Sequence, residues 1–202
     1  MGKTNHRNFV GMGGVEKYQI ILADPPWSYK VWTAKGGHKS ASAHYKVMDL
    51  KSICQLPIQK IVDENCVLFL WATFPNLPEA FEVIKAWGFT YKTVGFVWVK
   101  IYSNKNPVCG LGYWTRANAE ICLLATKGNP HRISKNVSQV ILTPKGEHSS
   151  KPDIVKDRIV MLMGDLPRIE LFARDHTPLF KDKWERWGDE VESDIDLNNR
   201  PE

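Results

Sequence analysis

The residues best suited to chemistry stand in one short segment, Ala-Asp-Pro-Pro-Trp at 23–27, directly after an apolar run. Proline fixes its own φ angle and has no N–H to donate, so the pair ends a strand and stiffens the turn that follows. One explanation of this segment is purely structural: it forms a rigid turn in which the aspartate caps the backbone. The position after a buried strand, where α/β sheets bind ligands, favours a functional one.

The segment suits an exocyclic amine on a flat base. Such a nitrogen is a poor nucleophile because its lone pair is delocalised into the ring, and two acceptors on its N–H groups would make it more tetrahedral and more reactive. Asp24 would supply one acceptor and the carbonyl of Pro25 the other, with positioning providing most of the catalysis. Trp27, or Tyr29 beyond it, would offer a stacking face to a base that has left its duplex.

Other site classes lack their sequence signals. The chain has no GxxxxGK[ST] phosphate loop and no HExxH, and the Gly-rich run at 11–14 precedes a strand instead of following one. The four cysteines form no CxxC pair and no zinc spacing, so no metal site is predicted. Cys66 and Cys122 lie in apolar runs and are expected to be buried thiols.

Apolar runs predict six strands, and most are continuously apolar, as strands covered on both faces should be. They are 18–23, 66–71, 94–99, 120–125, 138–142 and 168–173. Helical patterns lie between them at 49–62, where Pro57 interrupts the helix, at 76–88 and at 150–163. This alternation predicts an α/β fold with a doubly wound, mostly parallel sheet.

The two clearer helices carry start signals and apolar stripes. Asn76 with Glu79, and Ser150 with Asp153, are spaced as caps and capping boxes. The third helix should bury Val155, Ile159 and Leu162.

Several of these strands end in residues suited to binding. Asp24 to Trp27 follow the first strand, Trp71 and Thr73 the second, Lys100 the third, and Arg174 and Asp175 the sixth. Ligands of such sheets bind at the carboxyl ends of the strands, so these residues should converge on one crevice.

Charge and composition suggest the kind of partner. The net charge of +5 combines −5 over residues 185–202 with +10 over residues 1–184. A basic body suggests a polyanion, although ordinary solubilising charge would explain it equally well. The long connections at 28–46 and 100–118 contain many bases, and the second, with Lys100 and Arg116, interleaves them with aromatic side chains that suit nucleic-acid backbones and bases.

Length and the chain ends complete the expectations. The 202 residues suit one domain with a core at about 18–190, and the acidic tail from 189 should be flexible and solvated. The N-terminus has no signal-peptide pattern and no stretch is apolar enough to span a membrane, so a cytoplasmic protein is expected.

Ten short motifs, in one order, resemble the DPPW-type adenine-N6 methyltransferases, the group that includes the messenger-RNA adenosine methyltransferase and small microbial and phage enzymes. The resemblance covers about residues 18–190. The matching motifs are ADPPW (23–27), HY with MD (44–49), LFLWAT (68–73), AWGF (86–89), WVK (98–100), GYW (112–114), LLATKGNP (123–130), HSSKPD (148–153), IELFAR (169–174) and RWGDE (186–190).

The resemblance implies a Rossmann-like methyltransferase fold in the permuted motif order, with S-adenosylmethionine as methyl donor. It places Asp24, Pro25, Pro26 and Trp27 in the catalytic loop, with Asp24 also near the cofactor. Tyr45 and Glu120 match substrate positions.

The resemblance also assigns cofactor residues. Lys151 would lie beside both the cofactor carboxylate and the substrate, and Arg174 would reach the cofactor ribose. Where the family has Asn and an Asn-Gln pair, this chain has Thr177 and Asp189-Glu190, whose oxygens still accept hydrogen bonds.

The implied substrate is adenine in nucleic acid, with DNA favoured because no RNA-binding domain is attached. RNA adenosine is the alternative substrate. A non-catalytic nucleic-acid-binding subunit is the alternative outside the enzymes, and a homo- or heterodimer fits any of these.

Overall fold

The computed structural model of the protein describes residues 17–28, 47–110, 112, 114–144, 150–174 and 184–197. Tyr29, Tyr45 and Thr177 lie outside these residues, as does most of the predicted loop at 28–46. The strands of the described part are β1 (Tyr18–Ala23), β2 (Val62–Ala72), β3 (Thr90–Ile101), β4 (Ala119–Lys127), β5 (Val140–Pro144), β6 (Arg168–Leu171) and β7 (Glu185–Trp187). The helices are α1 (Leu50–Cys54), α2 (Leu77–Ala86) and α3 (Ile154–Met163).

The strands form one sheet in the order β5-β3-β4-β2-β1-β6-β7. Neighbouring strands run parallel except at β4, which is antiparallel to both β2 and β3. The prediction of a mostly parallel Rossmann-like sheet is confirmed. Strand β1, which leads into the Asp-Pro-Pro-Trp segment, precedes its neighbour β6 in the sequence, as the permuted motif order implies.

Alternating side chains of the sheet fill a separate core on each face. Ile21 and Ala23 of β1 pack on the face covered by α1 and α2. Ile20 and Leu22 point to the other face, where α3 covers them. Helices on both faces explain why the central strands are apolar almost throughout.

The helix starts differ from their prediction. Neither α2 nor α3 has a side-chain hydrogen bond at its N-cap. The Asn76 side chain instead accepts a hydrogen bond at Oδ1 from the Thr73 hydroxyl, at 2.8 Å. In α3 the third buried position is Met163, because Leu162 is only half-buried beside the core.

The acidic tail also differs from the solvated segment predicted from 189. Ile195 and Leu197 are buried in the core on the α1 and α2 face. The Asp194 N–H donates to the Arg186 carbonyl, and the Arg186 N–H donates to the Asp194 carboxylate, at 2.8 and 2.7 Å. Two apolar side chains, two residues apart, therefore anchor this segment to the core, although its acidic composition suggested that it would be solvated.

Cys66 and Cys122 are buried, as predicted, and burial raises the pKa of both thiols. No helix in the described ranges is long and apolar enough to cross a membrane.

Candidate active site

The segment Asp24–Trp27 forms a turn that is fixed by hydrogen bonds on both sides. The Trp27 N–H donates to the Pro25 carbonyl at 2.8 Å, and the Met48 N–H donates to the Pro26 carbonyl at 3.2 Å. The Trp27 indole N–H donates to the Trp71 carbonyl at 3.0 Å. Because both prolines restrict φ, the turn holds Asp24 at the end of β1 with little conformational freedom.

Trp27 is only 6% exposed and belongs to the core on the α1 and α2 face. Its ring therefore offers no open stacking face in this structure, and Tyr29, the other residue predicted for stacking, lies outside the described residues. The Trp27 indole instead locks the turn onto β2.

Asp24 belongs to a line of four alternating charges, here named the charge row: Lys100, Glu120, Lys151 and Asp24. Lys151 Nζ lies 2.7 Å from Asp24 Oδ2 and 3.3 Å from Glu120 Oε2. The other oxygen of Glu120 forms an ion pair with Lys100. Each member's side chain is 12–22% exposed, so the row is largely but not completely removed from water.

The topology brings these residues together from distant positions. Asp24 follows β1, and Lys151 lies shortly before α3. Glu120 lies at the start of β4, and because β4 is antiparallel its start falls at the edge where the parallel strands end. Lys100 lies near the end of β3, diagonal to Glu120 across the pair, since Trp98 is the residue opposite Glu120.

Two tryptophans form the floor of the row. Trp71 and Trp98 meet edge to face with ring centroids 6.4 Å apart. The Lys151 ammonium lies 5.7 Å from the Trp71 centroid, and the Lys100 ammonium lies 4.8 Å from that of Trp98. Both distances allow cation–π attraction, which helps to hold the two cations above the rings.

Neighbouring charges favour the ionised forms of Glu120 and Lys151. Burial opposes the charged form of Glu120, but Lys151 and Lys100 outweigh it and lower the pKa of this carboxyl. Burial likewise opposes the charge of Lys151, while Asp24 and Glu120 raise the pKa of its ammonium.

A second group of predicted residues meets at the end of β6. Arg174 forms a parallel bridge with Glu190, and its Nε lies 3.8 Å from Glu190 Oε1. Asp189 is exposed beside Glu190. Asp24 and this group lie at the same edge, because the Asp24 N–H donates to the carbonyl of Leu171, three residues before Arg174.

The structure thus brings Asp24, Lys100, Glu120 and Lys151 into contact, and Arg174 with Glu190. Arg116 lies exposed on the β3–β4 connection, where Trp114 is 99% exposed. Sequence analysis missed the floor role of Trp98 and the contact between Lys100 and Glu120. Both depend on the register of β3 with β4, for which the alternation of apolar residues gave no signal.

The α/β sheet is Rossmann-like and carries an acid-proline-proline-aromatic turn at its carboxyl edge. Together these features place the protein in the methyltransferase class. The sequence profile of the MT-A70 family matches residues 18–190. The chain therefore belongs to the MT-A70 family, which confirms the resemblance found in its motifs.

Three relatives give the family context. A type II methyltransferase, M.MunI, from a Mycoplasma species is 35% identical over 87% of this chain and 78% of its own length. An N(6)-adenosine-methyltransferase MT-A70-like protein of Drosophila melanogaster is 26% identical over 83% of this chain, which spans 26% of that relative. The non-catalytic subunit MTB of an Arabidopsis thaliana N6-adenosine-methyltransferase is 31% identical over 57% of this chain and 15% of its own length.

Proposed function

We propose that the protein transfers a methyl group from S-adenosylmethionine to N6 of adenine in DNA. The observation that carries this proposal is the Asp24 carboxylate on its rigid turn, held through Oδ2 by Lys151 at 2.7 Å and still 22% exposed. Within the described part of the chain, Oδ1 of Asp24 accepts no hydrogen bond, so this carboxylate oxygen would accept a ligand N–H at the strand ends.

The turn supplies the acceptors that an adenine amino group needs. Asp24 would accept one N–H through Oδ1. The Pro25 carbonyl already accepts the Trp27 N–H, but a carbonyl oxygen has two lone pairs, so it retains capacity for the second amino N–H. Holding both N–H groups concentrates the nitrogen lone pair on the side facing the methyl donor, and positioning supplies most of the rate.

The chemical types of the site residues fit the methyl donor. When bound, S-adenosylmethionine supplies an electrophilic methyl group on a sulfonium centre. Lys151 would hold its carboxylate, while Arg174, Asp189 and Glu190 would bond its ribose and adenine groups. After methylation the amino nitrogen carries a surplus proton, which leaves to Asp24 or to water.

DNA is the favoured substrate for two reasons. This chain spans 78% of a relative that is a type II methyltransferase. The β3–β4 connection also presents Trp114 and Arg116 to solvent, a combination that suits a nucleic-acid backbone and its bases. RNA adenosine is the second candidate, supported by the adenosine methyltransferase relative.

The alternative of a non-catalytic subunit is supported by the relative MTB, which is such a subunit. The intact Asp-Pro-Pro-Trp turn argues against this alternative for the present chain. A pure binding subunit would not require a partly exposed carboxylate that is fixed on a two-proline turn and held at 2.7 Å from a lysine. A cytoplasmic location and a dimeric state remain predictions, the second testable by light scattering.

The decisive test is product identification. The protein is incubated with methyl-labelled S-adenosylmethionine and with DNA and RNA of matched sequence, and the nucleic acids are digested to nucleosides. We expect N6-methyl-2′-deoxyadenosine from DNA. Label only in N6-methyladenosine from RNA would support the second candidate. No methylated adenine in either polymer would refute the enzyme, and absent cofactor binding in calorimetry would then favour the non-catalytic subunit.

A further inference from the structure

We infer that Lys100 is a positioning residue that acts on methyl transfer through Glu120, and not a cation that contacts DNA. This inference rests on the proposed function, because it assigns Lys100 a part in that reaction. Sequence analysis had placed Lys100 among the substrate-binding residues.

The geometry of Lys100 turns its charge toward the sheet. Its ammonium pairs with Oε1 of Glu120 and lies 4.8 Å from the centroid of the Trp98 ring. The side chain is 18% exposed, whereas a lysine that tracks phosphates is normally solvated. Both partners of the ammonium therefore belong to the site itself.

Glu120 divides its two oxygens between two lysines. Oε1 binds Lys100, and Oε2 lies 3.3 Å from Lys151, which is closer to Asp24 at 2.7 Å. The two cations balance the two carboxylates of the row. A buried carboxylate that loses one cation draws more strongly on the one that remains, because an unpaired buried charge is costly.

Removal of Lys100 should therefore pull Lys151 from Asp24 toward Glu120. Asp24 would lose the contact that fixes Oδ2, and its acceptor geometry would loosen. The titratable groups that contact Glu120 in the described structure are Lys100 from β3 and Lys151 before α3. Asp24 lies beyond Lys151, and the Cys122 thiol interacts with Asp24 and Lys151. Among them, only the two lysines favour the ionised carboxylate.

The test compares Lys100→Met with Lys100→Arg, which keeps the charge. Lys156→Met is the matched control, because Lys156 pairs with Glu170 at 2.7 Å in a similarly exposed ion pair on α3 and β6. For Lys100→Met we expect kcat at saturating DNA to fall about tenfold, with the acid limb of its pH profile moved up by about one unit. The KM for DNA and its salt dependence should stay unchanged, and Lys100→Arg and Lys156→Met should resemble the wild type.

Two further measurements tie the effect to Glu120. In a Glu120→Gln background, Lys100→Met should cause no additional loss of kcat. Carbon-13 NMR of the side-chain carboxyls, assigned with Glu120→Gln, should show a higher Glu120 pKa in Lys100→Met than in the wild type. The NMR measurement does not require activity, so it tests the row even if the wild type transfers no methyl group and the proposed function fails.

A direct DNA contact predicts the opposite pattern. Lys100→Met would then weaken DNA binding and reduce the salt slope by about one, with kcat and the Glu120 pKa unchanged. That result would overturn the inference. Equal behaviour of Lys100→Met and Lys156→Met in every assay would also overturn it.

Discussion

Two groups of polar side chains, one at each edge of the sheet, form hydrogen bonds of different kinds. At the amino edge, Asn65 Oδ1 accepts the Asn129 N–H at 2.7 Å, and the Gln59 side-chain amide donates to the Trp87 carbonyl. These bonds join neutral side chains to the backbone and close turns. At the carboxyl edge, Asp24, Lys151 and Glu120 bond charged side chains to one another.

The difference indicates which of these two groups of side chains can bind and activate a ligand. A neutral side chain bonded to backbone has a partner that cannot move, and such a bond contributes only about 1 kcal/mol to stability. The charged groups of the row can take a further partner of opposite charge from a ligand. Lys151 would bind a cofactor carboxylate while it still holds Oδ2 of Asp24, and Oδ1 of Asp24 would accept the adenine amino group.

The largest effect expected at the carboxyl edge is that of Asp24→Ala. Methyl transfer should fall by at least about a thousandfold, because the ionised acceptor is lost. The protein should remain folded, since the side chain is partly exposed and Lys151 retains Glu120. Transfer of labelled methyl groups measures the first outcome and circular dichroism the second. Full activity in this variant would disprove the mechanism.

Lys151→Met should lower both activity and stability. Asp24 and Glu120 would lose their shared cation, so we expect a loss of roughly 2 kcal/mol in the free energy of unfolding, below the 3–5 kcal/mol of fully buried pairs. The transfer rate should fall about a hundredfold. Urea denaturation and initial-rate assays measure the two, and a variant as stable as the wild type would argue against the row.

Arg174→Met should act mainly on cofactor binding. Because Arg174 lies with Glu190 away from the charge row, we expect the KM for S-adenosylmethionine to rise about tenfold with kcat nearly unchanged. A fall in kcat at unchanged KM would instead place Arg174 near the reacting atoms.

The contribution of the charge row to the free energy of unfolding should depend on pH, and comparison with Glu120→Gln shows in which direction. The Glu120 pKa is lower in the folded protein than its ordinary value of 4.5, so its contribution is complete above that value and is lost as pH falls through the folded pKa. The Lys151 pKa is raised above 10.5, so its contribution holds up to that pH and is lost above it. The stability gap between wild type and Glu120→Gln should therefore narrow below pH 4.5, as thermal melts across pH would show.

The smallest effect expected is that of Asn65→Ala at the amino edge. Loss of its bond to Asn129 should cost about 1 kcal/mol of stability and leave methyl transfer unchanged. Melting temperature and initial rate together test this contrast. A large loss of activity without unfolding would extend the functional region to the amino edge.

Sequence patterns predicted the elements better than their directions. β1 has the predicted bounds, because apolar side chains fill it and two prolines end it. An apolar run predicts a strand but not its direction, so the antiparallel orientation of β4 was not predicted. The contact of Lys100 with Glu120 depends on that orientation and was therefore not predicted either. β7, with only three residues and two of them charged, gave no apolar signal.

The site was predictable where motifs matched and not where packing decided. Asp24 was predicted from the chemistry of its turn and Lys151 from the resemblance, and the two lie in contact. Trp27 does not offer an open stacking face because its ring packs in the core, a contact that is visible only in three dimensions.

The central claim is that Asp24 accepts the adenine amino group at the carboxyl edge. A crystal structure of the protein with adenine-containing DNA and a non-reactive analogue of S-adenosylmethionine tests it most directly. We predict an Asp24 carboxylate oxygen within about 3 Å of adenine N6, hydrogen-bond distance for a catalytic contact. An adenine bound elsewhere, with Asp24 still paired only to Lys151, would contradict the account.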